Sequence, residues 1–133
     1  MSYRRVVKVT LLIYKKPGTT DEEFAHYWAE VHGKKSMPGM LKHGVLHYSQ
    51  THTPILARQT LLETSGAPPG RILDCDGVAT ATFPTWEAAR AWQFDEETKR
   101  IQKEDGAIFA DHTRQRLVAG EEVLFIEDGK LTY

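Results

Sequence analysis

An α+β fold of the split βαβ, ferredoxin-like kind is what this sequence predicts, and three observations predict it. Residues 5–14 (RVVKVTLLIY) are rich in β-branched side chains, which suits a strand. The stretch TDEEFAHYWAEVHGKK then shows helical periodicity between a capped start and a glycine stop. After an insert, the strand–helix–strand rhythm recurs, giving the order β-α-β-(insert)-β-α-β. That order folds as a four-stranded antiparallel sheet with two helices on one face.

In the first strand Val7, Val9, Leu11 and Ile13 share one face, while Val6, Lys8, Thr10, Leu12 and Tyr14 share the other. A Pro-Gly turn, KKPGTT, follows. In the first helix Thr20 and Glu23 form a capping box, Asp21 and Glu22 suit the positive end of the dipole, and Gly33 with Lys34 and Lys35 closes it. Phe24, Tyr27, Trp28 and Val31 make its apolar stripe. SMPGMLKHG reads as a loop or short irregular helix, and HGVLHYSQTHT as the second strand, separating Val45, His47, Ser49 and Thr51 from Leu46, Tyr48, Gln50 and His52. PILARQTLLET suggests a short helix inside an insertion at about residues 54–70, closed by the turn-rich SGAPPG. CDGVATATF is the third strand. FPTWEAARAWQFDEETKRIQ is the second helix, with Pro84 at its first position and Trp86, Ala89 and Gln93 beneath it. After KEDGAIFADH, RQRLVAGEEVLFIE is the last strand, with a break at Ala119-Gly120.

The 133 residues suit one domain, 1–133, and need neither disulfide nor structural metal to fold. With the two helices on one sheet face, the other face needs a cover that this chain lacks the length to supply. The expectation is a homodimer whose sheets face each other as a dimeric α+β barrel. Seventeen Lys plus Arg against eighteen Asp plus Glu leaves a net charge of −1, which excludes a basic nucleic-acid footprint. No segment has the apolar length of a membrane span, and the N-terminus lacks a signal-peptide pattern, so a cytoplasmic protein is expected. The single Cys75 falls in an apolar, strand-like segment and reads as a buried side chain.

Chemistry is suggested first by six histidines: His26, His32, His43, His47, His52 and His112. Imidazole exchanges protons near neutral pH, and four of the six fall between positions 32 and 52. His26 sits on the opposite side of its helix from His32 and reads as solvated. His43 and His47 have a metal-like spacing, but in an extended segment that spacing spans roughly 13 Å, and no third ligand is evident. No metal site is therefore expected. A nucleophile elbow, a phosphate-binding loop and a dinucleotide fingerprint are all absent. Tyr14, Tyr27, Trp28, Tyr48, Trp86, Trp92 and Phe109 are candidate walls of an aromatic pocket.

The run YKKPGTTDEEFAHYWAEVHGKK resembles the opening signature of EthD-domain proteins, members of the dimeric α+β barrels. Tyr48, Gln50 and His52 resemble the family's Tyr-x-Gln-x-His segment; Asp76-Gly77 resembles the Asp-Gly that opens its third strand. Asp105, Phe109 and Asp111 resemble its D-x₃-F-x-D pattern. Where the family commonly has an apolar or Pro-Leu pair after His-Gly, this chain has Lys34-Lys35. With its 54–70 insertion the chain is most similar to fungal members. The resemblance implies a small, cofactor-free lyase that dehydrates or decarboxylates a polyphenolic polyketide, a small-molecule aromatic substrate.

Such chemistry needs a base, a donor for the developing oxyanion and an acid. His32, one turn from Trp28, is the first candidate base or acid. His52 is the second, with Tyr48 on the same strand face as oxyanion donor. Asp76 or Asp105 is the candidate to orient an imidazole. Tyr14, Tyr27, Trp28, Trp86 and Phe109 are the candidate substrate-binding residues. A non-catalytic ligand-binding or stress-response dimer, or a haem-binding one, is the alternative for the same fold.

Overall fold

A computed structural model describes residues 5–133. Strand β1 (Arg5–Ile13) leads through the Gly18 turn to α1 (Asp21–His26). The Thr20 hydroxyl caps α1, accepting from the Glu23 amide at 3.1 Å while Glu23 Oε1 reaches back to it. A π-helical stretch, Tyr27–Gly33, then passes without a break into α2 (Lys34–Lys42). β2 (His47–His52) is followed by α3 (Ile55–Ser65), a 3₁₀ turn at Pro69–Arg71, and β3 (Gly77–Phe83). The chain continues through α4 (Trp86–Gln93), α5 (Glu96–Phe109) and β4 (Arg116–Val123), and closes with a hairpin of β5 (Ile126–Glu127) and β6 (Lys130–Leu131). The main sheet has the order β2-β3-β1-β4 and is antiparallel throughout, which is the expected ferredoxin-like topology.

Pairing registers fix the two faces. Val7, Val9, Leu11 and Ile13 lie beside Phe83, Ala81, Ala79 and Gly77, and Tyr48, Gln50 and His52 complete that face from β2. Two apolar clusters pack on it. Met40, Ala89 and Trp92 meet Val7, Val9, Ala81 and Phe83; Phe24, Trp28 and Phe109 meet Ile13 and Ala79. Leu11 and Tyr48 touch both clusters. The opposite face carries Thr10, Leu12, Val78, Thr80, Ser49 and Thr51. Cys75 is buried and unpaired, as expected.

Several local expectations are corrected. Gly33 does not end the first helix, because its φ of −57° and ψ of −47° are helical and the chain runs on to Lys42. SMPGMLK is therefore helical despite Pro38, and His43 stands at a helix C-cap, outside the second strand. Pro84 precedes the second helix; the cap is Thr85, whose hydroxyl accepts from the Ala88 amide. That helix is in fact two. Asp95 breaks it and caps α5 through the Thr98 amide, and α5 extends through KEDGAIF to Phe109. Trp86 and Gln93 are exposed and Trp92 is buried in their place. No break interrupts β4, since Gly120 pairs with Lys8 in register. The end of the predicted last strand folds away as the β5–β6 hairpin, because Asp128 and Gly129 (φ 53° and 76°) supply the left-handed turn that such a hairpin needs.

Candidate active site

Between the helices and the sheet lies a cavity of about 500 Å³, within the range typical of small-molecule sites. Its floor is made by Leu11, Ile13, Ala79 and Ala81. The two alanines leave room above β3, while Trp28, Tyr48, Trp92 and Phe109 stand around them as walls. Polar groups converge from α5 and the end of the π-helical stretch.

The polar centre is Asp105, a residue only 3% exposed. His32 Nδ1 lies 3.1 Å from its Oδ2, Lys35 Nζ donates to its Oδ1 at 3.1 Å, and the Tyr27 hydroxyl donates to Oδ1 at 3.4 Å. An ionised carboxylate can only accept, so the His32 Nδ1 carries the hydrogen and a neutral His32 has its lone pair on Nε2. Burial pushes the His32 imidazole below its ordinary value; the Asp105 contact opposes this without overcoming it. Burial works to raise Asp105, yet His32 and Lys35 together hold it below the usual carboxylate range. Lys35 is raised by its Asp105 hydrogen bond. The result is a neutral imidazole, held in one tautomer and packed on the Phe109 ring (centroids 5.2 Å apart).

A second group lies on β2. Gln50 Nε2 donates to the Trp28 carbonyl at 3.0 Å and to the Tyr48 hydroxyl at 3.2 Å, and Gln50 Oε1 sits 3.1 Å from His52 Nε2. His52 stacks on Trp28 at 4.7 Å between ring centres. Trp28 is therefore held by its carbonyl and by its ring. Gly77 sits directly under it, where a Cβ would overlap the indole. Burial raises the Tyr48 hydroxyl above the usual phenol range and lowers His52 below the usual imidazole range.

The remaining sequence candidates separate clearly. His32, Asp105, Trp28, Tyr48 and Phe109 are brought together. Tyr14 lies just beyond β1, so it faces the cavity and not the mixed strand face; its hydroxyl donates to Asp74, and Arg114 stacks on its ring at 4.0 Å. Tyr27 stands behind Phe109. Asp76 is engaged elsewhere, accepting from the Lys15 backbone amide at 2.8 Å; it orients a turn, while Asp105 orients the imidazole. Trp86 is 48% exposed and donates to Glu121, because it opens α4 on the side away from the cavity. His43 Nε2 lies 3.0 Å from Asp95 Oδ1, while His26 and His47 are exposed. Of the lysine pair, Lys35 reaches the site and Lys34 pairs with Glu30.

Of the lining residues, Thr98 and Gln102 were not singled out in the sequence, and His112 was counted among the six histidines without a role. His112 follows the acidic motif directly, which was the available signal. Among the described residues no three His, Cys, Asp or Glu side chains group closely enough to hold a metal ion, and no helix is long and apolar enough to cross a membrane.

Known proteins resemble this chain in sequence and in fold. The chain is 26% identical to the dehydratase aurZ of Gibberella zeae, covering 95% of this chain and 83% of the relative. It is 24% identical to the decarboxylase AgnL1 of Paecilomyces divaricatus, covering 92% and 83%. Its fold is shared with an EthD-family protein of Bacillus halodurans (TM-score 0.57, 18% identity, 89% and 99% covered). It is shared also with SnoaB, a cofactor-independent oxygenase of Streptomyces nogalater (TM-score 0.53, 12% identity, 96% and 99% covered). Residues 16–113 match the EthD domain, a span holding the whole His32–Asp105 centre, and the chain belongs to the EthD domain family.

Proposed function

We propose that this protein is a cofactor-free lyase that removes water or carbon dioxide from a polyphenolic polyketide intermediate by acid–base catalysis, working as a cytoplasmic homodimer. One observation carries this reading: an imidazole, fixed by a buried carboxylate, at the wall of an aromatic cavity. The names of the dehydratase and decarboxylase relatives support the reaction class. Trp28, Tyr48, Trp92 and Phe109 present the flat apolar surfaces that a fused ring system would bury. His32 Nε2 is placed to take a proton next to a carbonyl. The Tyr48 hydroxyl is the candidate donor to the oxygen on which charge develops. His52 and Gln50 support Tyr48 and Trp28 from behind. Aromatisation supplies much of the driving force, so modest proton transfer in a dry pocket suffices.

For the dimer, the support is the sheet face opposite the helices and a solved dimeric protein of the same ferredoxin-like fold from Bacteroides fragilis (TM-score 0.54). The deciding experiment offers purified protein a hydroxylated anthrone or naphthopyrone precursor and follows absorbance and product mass. Turnover with loss of water or carbon dioxide is expected. With His32→Ala, kcat should fall by roughly 10²- to 10⁴-fold. His26→Ala, on an exposed side chain, should match wild type. Binding without turnover, or a fully active His32→Ala, would sink the proposal.

A further inference from the structure

A second imidazole, on the exposed side chain of His112, lines the same cavity. His112 lies just past α5, and its ring covers Gly106 so closely that a Cβ at position 106 would overlap Nε2. Gly106 is buried within the regular helix α5, where glycine costs roughly 1 kcal/mol relative to alanine. Its φ is not left-handed, so the backbone does not require glycine there. What a Cβ there would strike is the imidazole resting on it.

Helical geometry relates the two histidines. At about 100° per residue, Asp105, Phe109 and Gly106 occupy successive positions around α5, at roughly 0°, 40° and 100°. His32 is bonded to Asp105 and stacked on Phe109, and His112 sits on Gly106. Both rings line one cavity, near enough that the charge on His112 depresses protonation of His32. His112 Nδ1 lies 3.2 Å from Gln115 Oε1, an acceptor that holds a hydrogen on Nδ1. Nε2, the ring nitrogen nearest Gly106, takes no part in that contact.

We infer that His112 is the second proton carrier of this site, acting as the acid while His32 acts as the base, so that the reaction is elimination of water. This rests on the acid–base reading given above. In the step, a C–H bond beside the substrate carbonyl breaks, its proton going to His32 Nε2 and its electron pair forming the new C=C bond. The C–O bond at the adjacent carbon breaks, and the leaving oxygen takes the proton from protonated His112 Nε2 and departs as water. Proton exchange with solvent then resets both rings. A site with a base but no acid would have to expel hydroxide, a poor leaving group.

The test compares His32→Gln, His112→Gln, Gly106→Ala and Gly106→Ala/His112→Gln on a β-hydroxy-carbonyl polyphenol, with thermal melting as the folding check. His112→Gln should lower kcat by roughly 10²-fold with KM little changed. Gly106→Ala should melt no lower than wild type, yet lose kcat by displacing the ring. The double variant should be no worse than His112→Gln alone, because both changes remove one interaction. If His32→Gln is inactive while His112→Gln retains full kcat, the acid assignment fails and the base assignment survives. If His32→Gln is itself fully active, the acid–base reading falls and the inference falls with it. A product lacking carbon dioxide instead of water overturns the elimination. A Gly106→Ala enzyme with normal kcat and raised KM shows that position 106 only shapes the cavity, and also overturns it.

Discussion

The Nδ1 of His32 points at the Oδ2 of Asp105 from 3.1 Å, across 73 residues of sequence, and the carboxylate it meets is almost wholly buried. This pair fixes which nitrogen faces the cavity. It also makes the site pH-dependent in a direction that can be worked out.

Asp105→Asn should cost kcat and move the acid limb of the rate profile. In the wild-type protein burial lowers His32 and Asp105 partly restores it, so the limb should lie below the ordinary imidazole value of about 6.5. Removing the carboxylate removes the restoring influence and should shift the limb further to acid. A limb that moves toward neutral pH would contradict this cause. Folding stability follows from the lowered pKa of Asp105 itself. Its ionised form contributes above its unfolded value of about 3.9, and that contribution is lost as pH falls through the lower folded value. Acid denaturation should accordingly be shallower in Asp105→Asn.

Gly77→Ala should destabilise the fold by about 1–3 kcal/mol, the usual cost of overpacking, because the new methyl meets the Trp28 ring. Trp28 is 1% exposed and clamped by Gln50, so it has little freedom to retreat. Urea unfolding measures this directly. An unchanged midpoint would show that the indole moves more easily than its contacts suggest.

Gln50→Met preserves bulk and removes the amide donors, leaving the Trp28 carbonyl without that partner. A loss of about 0.5–1.5 kcal/mol is expected for the hydrogen bond removed. His52→Ala should reduce kcat less than His32→Ala does, since His52 bonds to Gln50 and stacks behind Trp28. Equal losses would place His52 on the proton path.

Sedimentation at micromolar concentration should give about twice 15.1 kDa. Val78→Glu, a charge placed at the centre of the sheet face opposite the helices, should shift the protein toward monomer. A wild-type monomer would overturn the barrel arrangement.

Local chemistry was enough to read the elements of the main sheet, the Thr20 capping box, the alternation of β2 and the helix inside the insertion. Each depends on residues within a few positions of one another, such as Thr20 with Glu23 or Tyr48 with Gln50 and His52. His32 and Asp105 were both legible as candidates, through residue type and family likeness. Their partnership was not, because it depends on how the π-helical stretch and α5 approach across the sheet. The same approach decided that Asp105 and not Asp76 orients the imidazole, that of the candidate walls Trp92 lines the cavity and Trp86 does not, and that Lys35 reaches the carboxylate while Lys34 does not. Helix ends were misjudged where a long-range contact outweighed a local stop signal. Gly33 and Gly106 both look like breakers in sequence. In the fold Gly33 stays helical where a Cβ would crowd Gln50 and the Trp28 carbonyl, and Gly106 where one would strike His112. Sequence alone determined which groups this protein has to work with; tertiary packing decided which of them meet, because burial and pairing arise only when distant segments share one cavity.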